Sequence, residues 1–192
     1  RRGKPPVHVQ YGEAQAFLAG DALQALAFEL LTPEGDAVPP AMQAALCGLL
    51  ARAAGAAGMA GGQAIDLASV GRVLTEAELR AMHRLKTGAL LQAAVRMGAA
   101  CAAPALPVAT RAALDDYGAA IGLAFQVVDD ILDVTADSAQ LGKTAGKDAA
   151  ADKPTYVSLL GLAEAQALAA RLHAQAHRAL DASGLAQVAL LR

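Results

Sequence analysis

Aromatic side chains are scarce in this chain, and tryptophan is absent. Of its 192 residues, 55% are hydrophobic but only 3% are aromatic. The apolar positions are filled by alanine and leucine more than by β-branched residues, and both of these residues favour helices. We therefore expect an all-α fold. The length suits one domain over residues 1–192 with a sizeable core.

The chain also lacks a strong charge of either sign. Its net charge is −2 and its sequence pI is near 6.1, with neither a basic stripe nor an acidic tail. Nucleic acid is therefore not an expected partner. Uncharged runs such as residues 97–110 and 118–128 are too short, or too rich in proline and small residues, to cross a bilayer. We expect no membrane span.

Cysteine is rare as well. Cys47 and Cys101 stand alone in apolar segments, without metal-ligand spacing, so we expect both to be small buried hydrophobic residues. No secretory signal is recognisable at the start of the chain. A reducing cytoplasm fits these features best.

Helical periodicity and turn signals divide the chain into five predicted helices. Thr75 and Glu78 form a capping box before the third of them, and Pro154 suits the first turn of the fifth. The predicted helices cover residues 13–31, an Ala/Gly-rich stretch of 40–67 that we expect to be packed deep, 76–103, 111–134, and 154–184 with a possible break at Gly161.

Three aspartates in the fourth helix need an explanation. A buried helix is predicted by the apolar residues of this stretch, Val127, Val128, Ile131 and Leu132. Yet "FQVVDDILD" places three aspartates among them. At about 100° per residue, Asp129 and Asp133 lie about 40° apart around the helix, and Asp130 lies about 60° from Asp133. All three can face one spot.

Two interpretations of these aspartates, Asp129, Asp130 and Asp133, are open. Their mutual repulsion favours a cation, and oxygen ligands favour Mg²⁺, which usually completes its shell with water and substrate phosphates. The alternative is a solvated acidic strip on an amphipathic helix. The next segment adds Lys143, Lys147 and Lys153 among glycines, a composition suited to phosphate. It is no Walker A loop, because the first glycine of that motif is replaced by Asp137 and no strand precedes it.

The stretch "GLAFQVVDDILDVTADSAQLGKTAGKDAAADKPTY" resembles the second aspartate-rich motif and lysine loop of the trans-type polyprenyl diphosphate synthases. The similarity is closest to the bacterial short-chain farnesyl and geranylgeranyl diphosphate synthases. Three further stretches agree in the order of the family: "RRGKP", "YGEAQAFLAGDALQALAFELL" and "GGQAIDL…HRLKTGALLQAAVRMGA". The resemblance implies a helical bundle around a central cavity.

The resemblance also implies an activity. Such enzymes condense isopentenyl diphosphate with an allylic diphosphate, dimethylallyl or geranyl, to farnesyl diphosphate or a similar short-chain product. Asp129, Asp130 and Asp133 would hold Mg²⁺ against the allylic diphosphate. The other implied site residues are Lys86, Lys143 and Lys153 on the diphosphate oxygens, Thr87 and Gln126 facing the allylic cation, Arg1 on the allylic diphosphate and Arg2 on the isopentenyl diphosphate.

Parts of the family pattern are not in these 192 residues. Family members carry a first aspartate-rich motif just before the "RRG" that opens this chain, so we expect that a protein beginning at Arg1 does not catalyse condensation. The resemblance further implies a homodimer. The alternative function is a non-catalytic helical partner or regulatory subunit of a prenyl synthase, whose signature would be loss of the second acidic motif or of its lysines.

Other polar residues have weaker signals. His173 and His177 lie one helical turn apart but have no third ligand nearby, so we expect a solvent-facing pair. Asp115 and Asp116 are interpreted as surface charge. Asp21 interrupts an apolar run and needs a partner if it is buried. Four residues could line a hydrocarbon pocket or equally pack in the core: Phe17, Ala25, Phe28 and Ala60.

Overall fold

The computed structural model describes residues 4–102, 106–135 and 154–192, and within these ranges the chain is helical with no strand. The all-α prediction is confirmed. The helices of the described part, numbered in chain order, are α1 (Val7–Tyr11), α2 (Glu13–Leu31), α3 (Pro40–Ala54), α4 (Met59–Ala68), α5 (Glu76–His83), α6 (Ala89–Ala100), α7 (Val108–Thr135), α8 (Tyr156–Leu160) and α9 (Leu162–Ala182), with a π-helical turn at Arg84–Gly88 and a 3-10 turn at Ala189–Leu191.

Local signals predicted several helix ends correctly. Helix α2 has the expected bounds. The capping box before α5 is formed, because the Thr75 hydroxyl accepts from the Glu78 amide at 3.3 Å and the Glu78 carboxylate accepts from the Thr75 amide at 2.8 Å. The fifth predicted helix is interrupted at Gly161, whose φ of +81° is strained for any residue with a Cβ. That break separates α8 from α9.

The second predicted helix is wrong, because the structure divides it into α3 and α4. Its deep packing is wrong too: Leu46 and Ala53 are the buried residues of α3, and Gly62 and Asp66 those of α4. The turn between them is very tight, since a Cβ on Gly58 would lie 2.1 Å from the Ala53 carbonyl oxygen. Only glycine permits this approach, so the composition that weakens the helix also builds the turn.

Helix α7 is the centre of the described core, and α9 packs along it. One buried cluster joins α5, α7, α8 and α9 and contains Leu79, Met82, Val127 and Tyr156. The other joins α7 and α9 farther along, around Leu114, Tyr117, Ala120, Ala176, Ala179 and Leu180. Two hydrogen bonds close that end, from Thr110 to the Ser183 carbonyl at 2.9 Å and from Tyr117 to the Leu191 carbonyl at 2.7 Å.

A glycine face on α7 brings the preceding helix unusually close. A Cβ on Gly122 would lie 2.9 Å from the Gly88 Cα, and one on Gly118 would lie 3.2 Å from the Gln92 Cα. Both glycines are buried. The four-residue spacing places them on the same side of α7. The π-helical turn and α6 therefore rest against α7 with backbone contacts.

The N-terminal helices contribute little to this core. No residue of α2 is buried, and the Phe17 side chain is 77% exposed. Cys47 is partly buried and Cys101 is exposed, so the prediction of two buried thiols is wrong. The physical reason is that α3 is covered mainly along its α6 side, while Cys101 stands at the end of α6 beyond the packed region.

Among the residues that the structure describes, one stretch is long and apolar enough to cross a membrane by length and composition alone. It covers Pro40–Ala68, with a mean hydropathy of 1.3 in its most apolar window. The turn at Gly55–Gly58 interrupts it between α3 and α4. The absence of a membrane span stays a prediction, as does the single domain over residues 1–192.

The glycine face leads to a stability prediction. We expect Gly122→Ala to lower the free energy of unfolding by about 1–3 kcal/mol, because its methyl group meets backbone that has no rotamer to change. Gly98→Ala is the matched control: Gly98 lies in α6, and apart from its chain neighbours and the nearby backbone of its own helix, no described atom lies within 4 Å of the place that its Cβ would take. This control should be neutral or stabilising by up to about 1 kcal/mol. Urea unfolding measures both, and equal effects would contradict the contact.

Candidate functional site

The acidic stretch of α7 turns its carboxylates inward. Asp130 is 2% exposed and Asp133 is 4% exposed, whereas Val128 and Leu132 are each 41% exposed. The expectation that these two apolar residues are buried is wrong for the described part of the chain. Burying carboxylates is costly unless they are compensated, and for Asp130 two hydrogen bonds supply compensation.

Asp130 accepts two hydrogen bonds from described residues. One carboxylate oxygen accepts a hydrogen bond from the Tyr156 backbone amide at 2.7 Å, and the other accepts from the Gln126 side-chain amide at 3.1 Å. Tyr156 begins α8, and Thr155 caps this helix. The carboxylate thus ties the start of α8 to α7. The Tyr156 ring is fully buried in the core beside it.

Gln126 extends this connection to the π-helical turn. Its carbonyl oxygen accepts a hydrogen bond from the Thr87 hydroxyl at 3.2 Å, although the two residues are 39 apart in sequence. Thr87, Gln126 and Asp130 therefore form one hydrogen-bonded chain across two elements. The structure brings together three of the residues that the resemblance singled out.

Lys86 lies one residue before Thr87 in the same turn. Its ammonium is 2.6 Å from a carboxylate oxygen of Asp66 on α4, and the Asp66 side chain is only 6% exposed. Sequence reasoning gave Asp66 no role. The only signal available was its place in the "GGQAIDL" stretch, because its partner follows 20 residues later on another element.

His83, at the end of α5, is a further buried polar residue of this site. It is 6% exposed, its ring lies 5.7 Å from that of Tyr156, and neither ring nitrogen has a hydrogen-bond partner among the described residues. Burial, with the nearby Lys86 charge, lowers the pKa of His83 from its usual 6.5 to about 4, although Asp66 and Asp129 oppose the shift. The imidazole is therefore neutral at physiological pH.

The donor set around Asp129 fits a hard cation in part. Asp129 is partly exposed and lies one turn before Asp133, so these two carboxylates can share an ion. Both oxygens of Asp130 already accept hydrogen bonds from protein donors. Over the ranges that the structure covers, no three His, Cys, Asp or Glu side chains form a ready metal site. A shell would need oxygens from elsewhere, which Mg²⁺ commonly takes from water and phosphate.

Several predicted residues lie outside the described ranges: Arg1, Arg2, Lys143 and Lys153. Their roles stay predictions. The residues with weaker signals are at the surface. His173 is exposed, and the two imidazoles of His173 and His177 contact each other at 3.1 Å. Asp115 pairs with Arg96 at 2.5 Å, and Asp116 and Asp21 are exposed.

Comparison with known proteins is informative over almost the whole chain. A family model described as polyprenyl synthetase matches residues 1–188. The chain is 54% identical over 186 residues to a protein of Bradyrhizobium diazoefficiens named probable farnesyl diphosphate synthase, covering 96% of this chain and 55% of that protein. It is 49% identical to the farnesyl diphosphate synthase of Escherichia coli, covering 94% of this chain and 60% of the relative.

A solved structure is also similar. The geranyltransferase of Helicobacter pylori, complexed with magnesium and isoprenyl diphosphate, superposes with a TM-score of 0.87 at 35% identity. The match covers 100% of this chain and 61% of that one. The chain thus spans between half and two thirds of the length of these relatives.

The contacts of Asp130 predict a structural effect of its removal. We expect Asp130→Ala to lower the free energy of unfolding by about 1–3 kcal/mol, because the buried Tyr156 amide loses its acceptor. Asp116→Ala, on the exposed side of the same helix, should change it by less than about 0.5 kcal/mol. Denaturant unfolding of both variants measures the difference. A neutral Asp130→Ala would contradict the anchoring contact.

The buried imidazole predicts a pH dependence. Because the pKa of His83 is lowered to about 4 from 6.5, below pH 6.5 the unfolded chain binds a proton that the folded chain does not. The free energy of unfolding should therefore fall as the pH decreases from 6.5 to 4, by up to about 3 kcal/mol from this group. His83→Phe should flatten this decrease, whereas His8→Phe, at an exposed position, should leave it unchanged. An identical slope in the His83 variant would refute the assignment.

Proposed function

The chain belongs to the polyprenyl synthetase family, and we propose that the protein containing it is a short-chain prenyltransferase. It condenses isopentenyl diphosphate with an allylic diphosphate, dimethylallyl or geranyl, and forms farnesyl diphosphate or a product of similar length. The observation that carries this proposal is the hydrogen-bonded chain of Thr87, Gln126 and Asp130, with Lys86 beside it. These are polar groups suited to one diphosphate and one cation.

Lys86 acts on the departing diphosphate. Its ammonium has three donors, and one of them is used by Asp66. The remaining donors are available for diphosphate oxygens, on which negative charge develops as the allylic carbon–oxygen bond breaks. Lys143 and Lys153 would add charge to the same oxygens. Arg1 would bind the allylic diphosphate and Arg2 the isopentenyl diphosphate, since a guanidinium can hold phosphate oxygens in pairs.

Thr87 and Gln126 face the other product of ionisation, the allylic cation. The Thr87 hydroxyl donates to the Gln126 carbonyl oxygen, so the lone pairs of the Thr87 oxygen stay available to the cation. Gln126 in turn donates to Asp130, which fixes the orientation of its amide. A fixed dipole stabilises developing charge without reorganising during the reaction.

Mg²⁺ is the proposed cofactor. Asp129, Asp130 and Asp133 would hold it, and the two hydrogen bonds that Asp130 accepts would fix the orientation of its carboxylate. Bound there, the ion would neutralise charge on the diphosphate and so ease its departure. The geranyltransferase with the similar structure was crystallised with magnesium and isoprenyl diphosphate.

The location and the partners of the enzyme are proposed from its charge, its cysteine usage and the family resemblance. We expect it in the cytoplasm, without a nucleic-acid partner, and as a homodimer. Helices from the Ala/Gly-rich segment would contribute to the dimer contact. The alternative of a non-catalytic partner is disfavoured because the second acidic motif and its lysines are present in the sequence.

The site predicts that removing the Asp129 carboxylate lowers the activity of the enzyme but hardly changes its stability. In the full-length enzyme, we expect Asp129→Ala to lower kcat by about 10²–10³-fold, because charge on the leaving diphosphate loses compensation. The free energy of unfolding should change by less than about 0.5 kcal/mol, since this carboxylate is partly exposed. Product formation from labelled isopentenyl diphosphate and geranyl diphosphate, with and without Mg²⁺, measures the first effect.

Asp116→Ala is the control for that experiment, because it removes an exposed aspartate from the same helix. It should retain wild-type turnover. Full condensation activity in the presence of a strong chelator would remove Mg²⁺ from the proposal. A well-folded full-length protein that forms no product from any allylic diphosphate would favour the non-catalytic partner.

A further inference from the structure

Asp66 is a buried carboxylate that the proposed mechanism does not use directly. It lies on α4 with 6% of its side chain exposed, 2.6 Å from the Lys86 ammonium, whose side chain is 28% exposed. Taking a carboxylate out of water is costly unless a partner compensates it closely. The Asp66 end of this ion pair is therefore buried and fixed in position, whereas the Lys86 end is partly accessible from solvent.

The backbone of the same two elements is also in contact. Gly62 precedes Asp66 by one helical turn, and a Cβ on Gly62 would lie 2.2 Å from the Lys86 amide nitrogen and 2.5 Å from its Cα. Helix α4 thus reaches the backbone of Lys86 with Gly62 and the side-chain end of Lys86 with Asp66. Both ends of this long side chain are located by one helix.

We propose that Asp66 is a positioning residue that orients the Lys86 ammonium where the diphosphate of the substrate binds. This inference rests on the proposed function. A carboxylate would repel a diphosphate, so Asp66 acts through Lys86 and not on the substrate. A lysine side chain has many rotamers, and ordering it on binding costs free energy.

Ordering the side chain before binding removes that loss from the binding step. The pair also leaves the ammonium able to act. One of its three N–H donors is directed at Asp66, and the other two can bind diphosphate oxygens without breaking the pair. The open side of Lys86 is where an anion can approach.

The first experiment measures binding. Asp66→Asn keeps the shape and removes the charge. In the full-length enzyme with Mg²⁺, we expect it to weaken the affinity for inorganic diphosphate by about tenfold by calorimetry and to raise the KM for the allylic diphosphate more than it lowers kcat. Asp66→Glu, which keeps the charge but displaces it by one methylene, should lose less. Asp115→Asn, which breaks the exposed pair with Arg96, should bind like the wild type.

A double-mutant cycle tests whether Asp66 acts through Lys86. Lys86→Met should weaken diphosphate binding strongly, and Asp66→Asn added to it should cause no further loss. Unfolding curves of all variants separate binding from folding. If Asp66→Asn alone does not fold, two other measurements decide the question. One compares diphosphate binding by the double variant and by Lys86→Met, and the other measures diphosphate binding by Asp66→Glu. Losses that simply add would show that Asp66 acts independently and would overturn the proposal.

A third measurement does not depend on enzymatic activity. Trace acetylation of lysines followed by peptide mass spectrometry reports how available each amine is. Lys86 should be protected in the wild type and react several-fold faster in Asp66→Asn, while exposed Lys4 keeps its rate. Unchanged Lys86 labelling would overturn the pairing even if condensation is observed. If Lys86 is labelled as expected but no condensation is observed, the proposed function is overturned and the pairing of Asp66 with Lys86 stands.

Discussion

The site depends on backbone contacts at the π-helical turn. Gly62 of α4 lies against Lys86 on one side of this turn, and Gly122 of α7 lies against Gly88 on another. Because no side chain separates these backbones, the position of Lys86 and Thr87 is set by rigid elements. The backbone of the turn is thereby fixed, and the contact with Asp66 orients the Lys86 side chain. The hydrogen bond from Thr87 to Gln126 is a consequence of this placement.

The electrostatics of the site follow from the same packing. Bringing α4, α5, α7 and α8 together buries carboxylates, and two of these, Asp66 and Asp130, each have a specific donor. One donor is an ammonium with an open side, and the other is a backbone amide inside the core. Asp66 is therefore coupled to a group that can meet a ligand, whereas Asp130 stabilises the junction of two helices. These two aspartates have different roles because their hydrogen-bond partners differ.

Local chemistry in the sequence predicted much of the fold. Periodicity located α2 and α7, the Thr75–Glu78 capping box located the start of α5, and Gly161 marked a break. The interruptions at Gly58 and at Arg84–Gly88 were not predictable in this way. They depend on which backbones approach each other, and neither propensity nor periodicity contains that information.

The candidate site shows the same division. The motif resemblance singled out Lys86, Thr87, Gln126 and the three aspartates, but their partners came from tertiary structure. Asp66 meets a lysine 20 residues away, and Asp130 meets an amide 26 residues away. The apolar character of Val128 and Leu132 suggested that both would be buried, yet α7 turns Asp130 and Asp133 inward and leaves these two residues exposed.

The π-helical turn also constrains how the length of this protein can change. A π-helical turn holds one residue more than the corresponding α-helical turn. Deleting one residue of Arg84–Gly88 would restore a regular α-helix with little rotation of α5 against α6, because the extra residue is accommodated within the turn itself. The wider turn is where Lys86 meets α4 and Gly88 meets α7, so such a deletion would alter these contacts. A change of one residue in length at this point would therefore act on the site and leave the flanking helices in place.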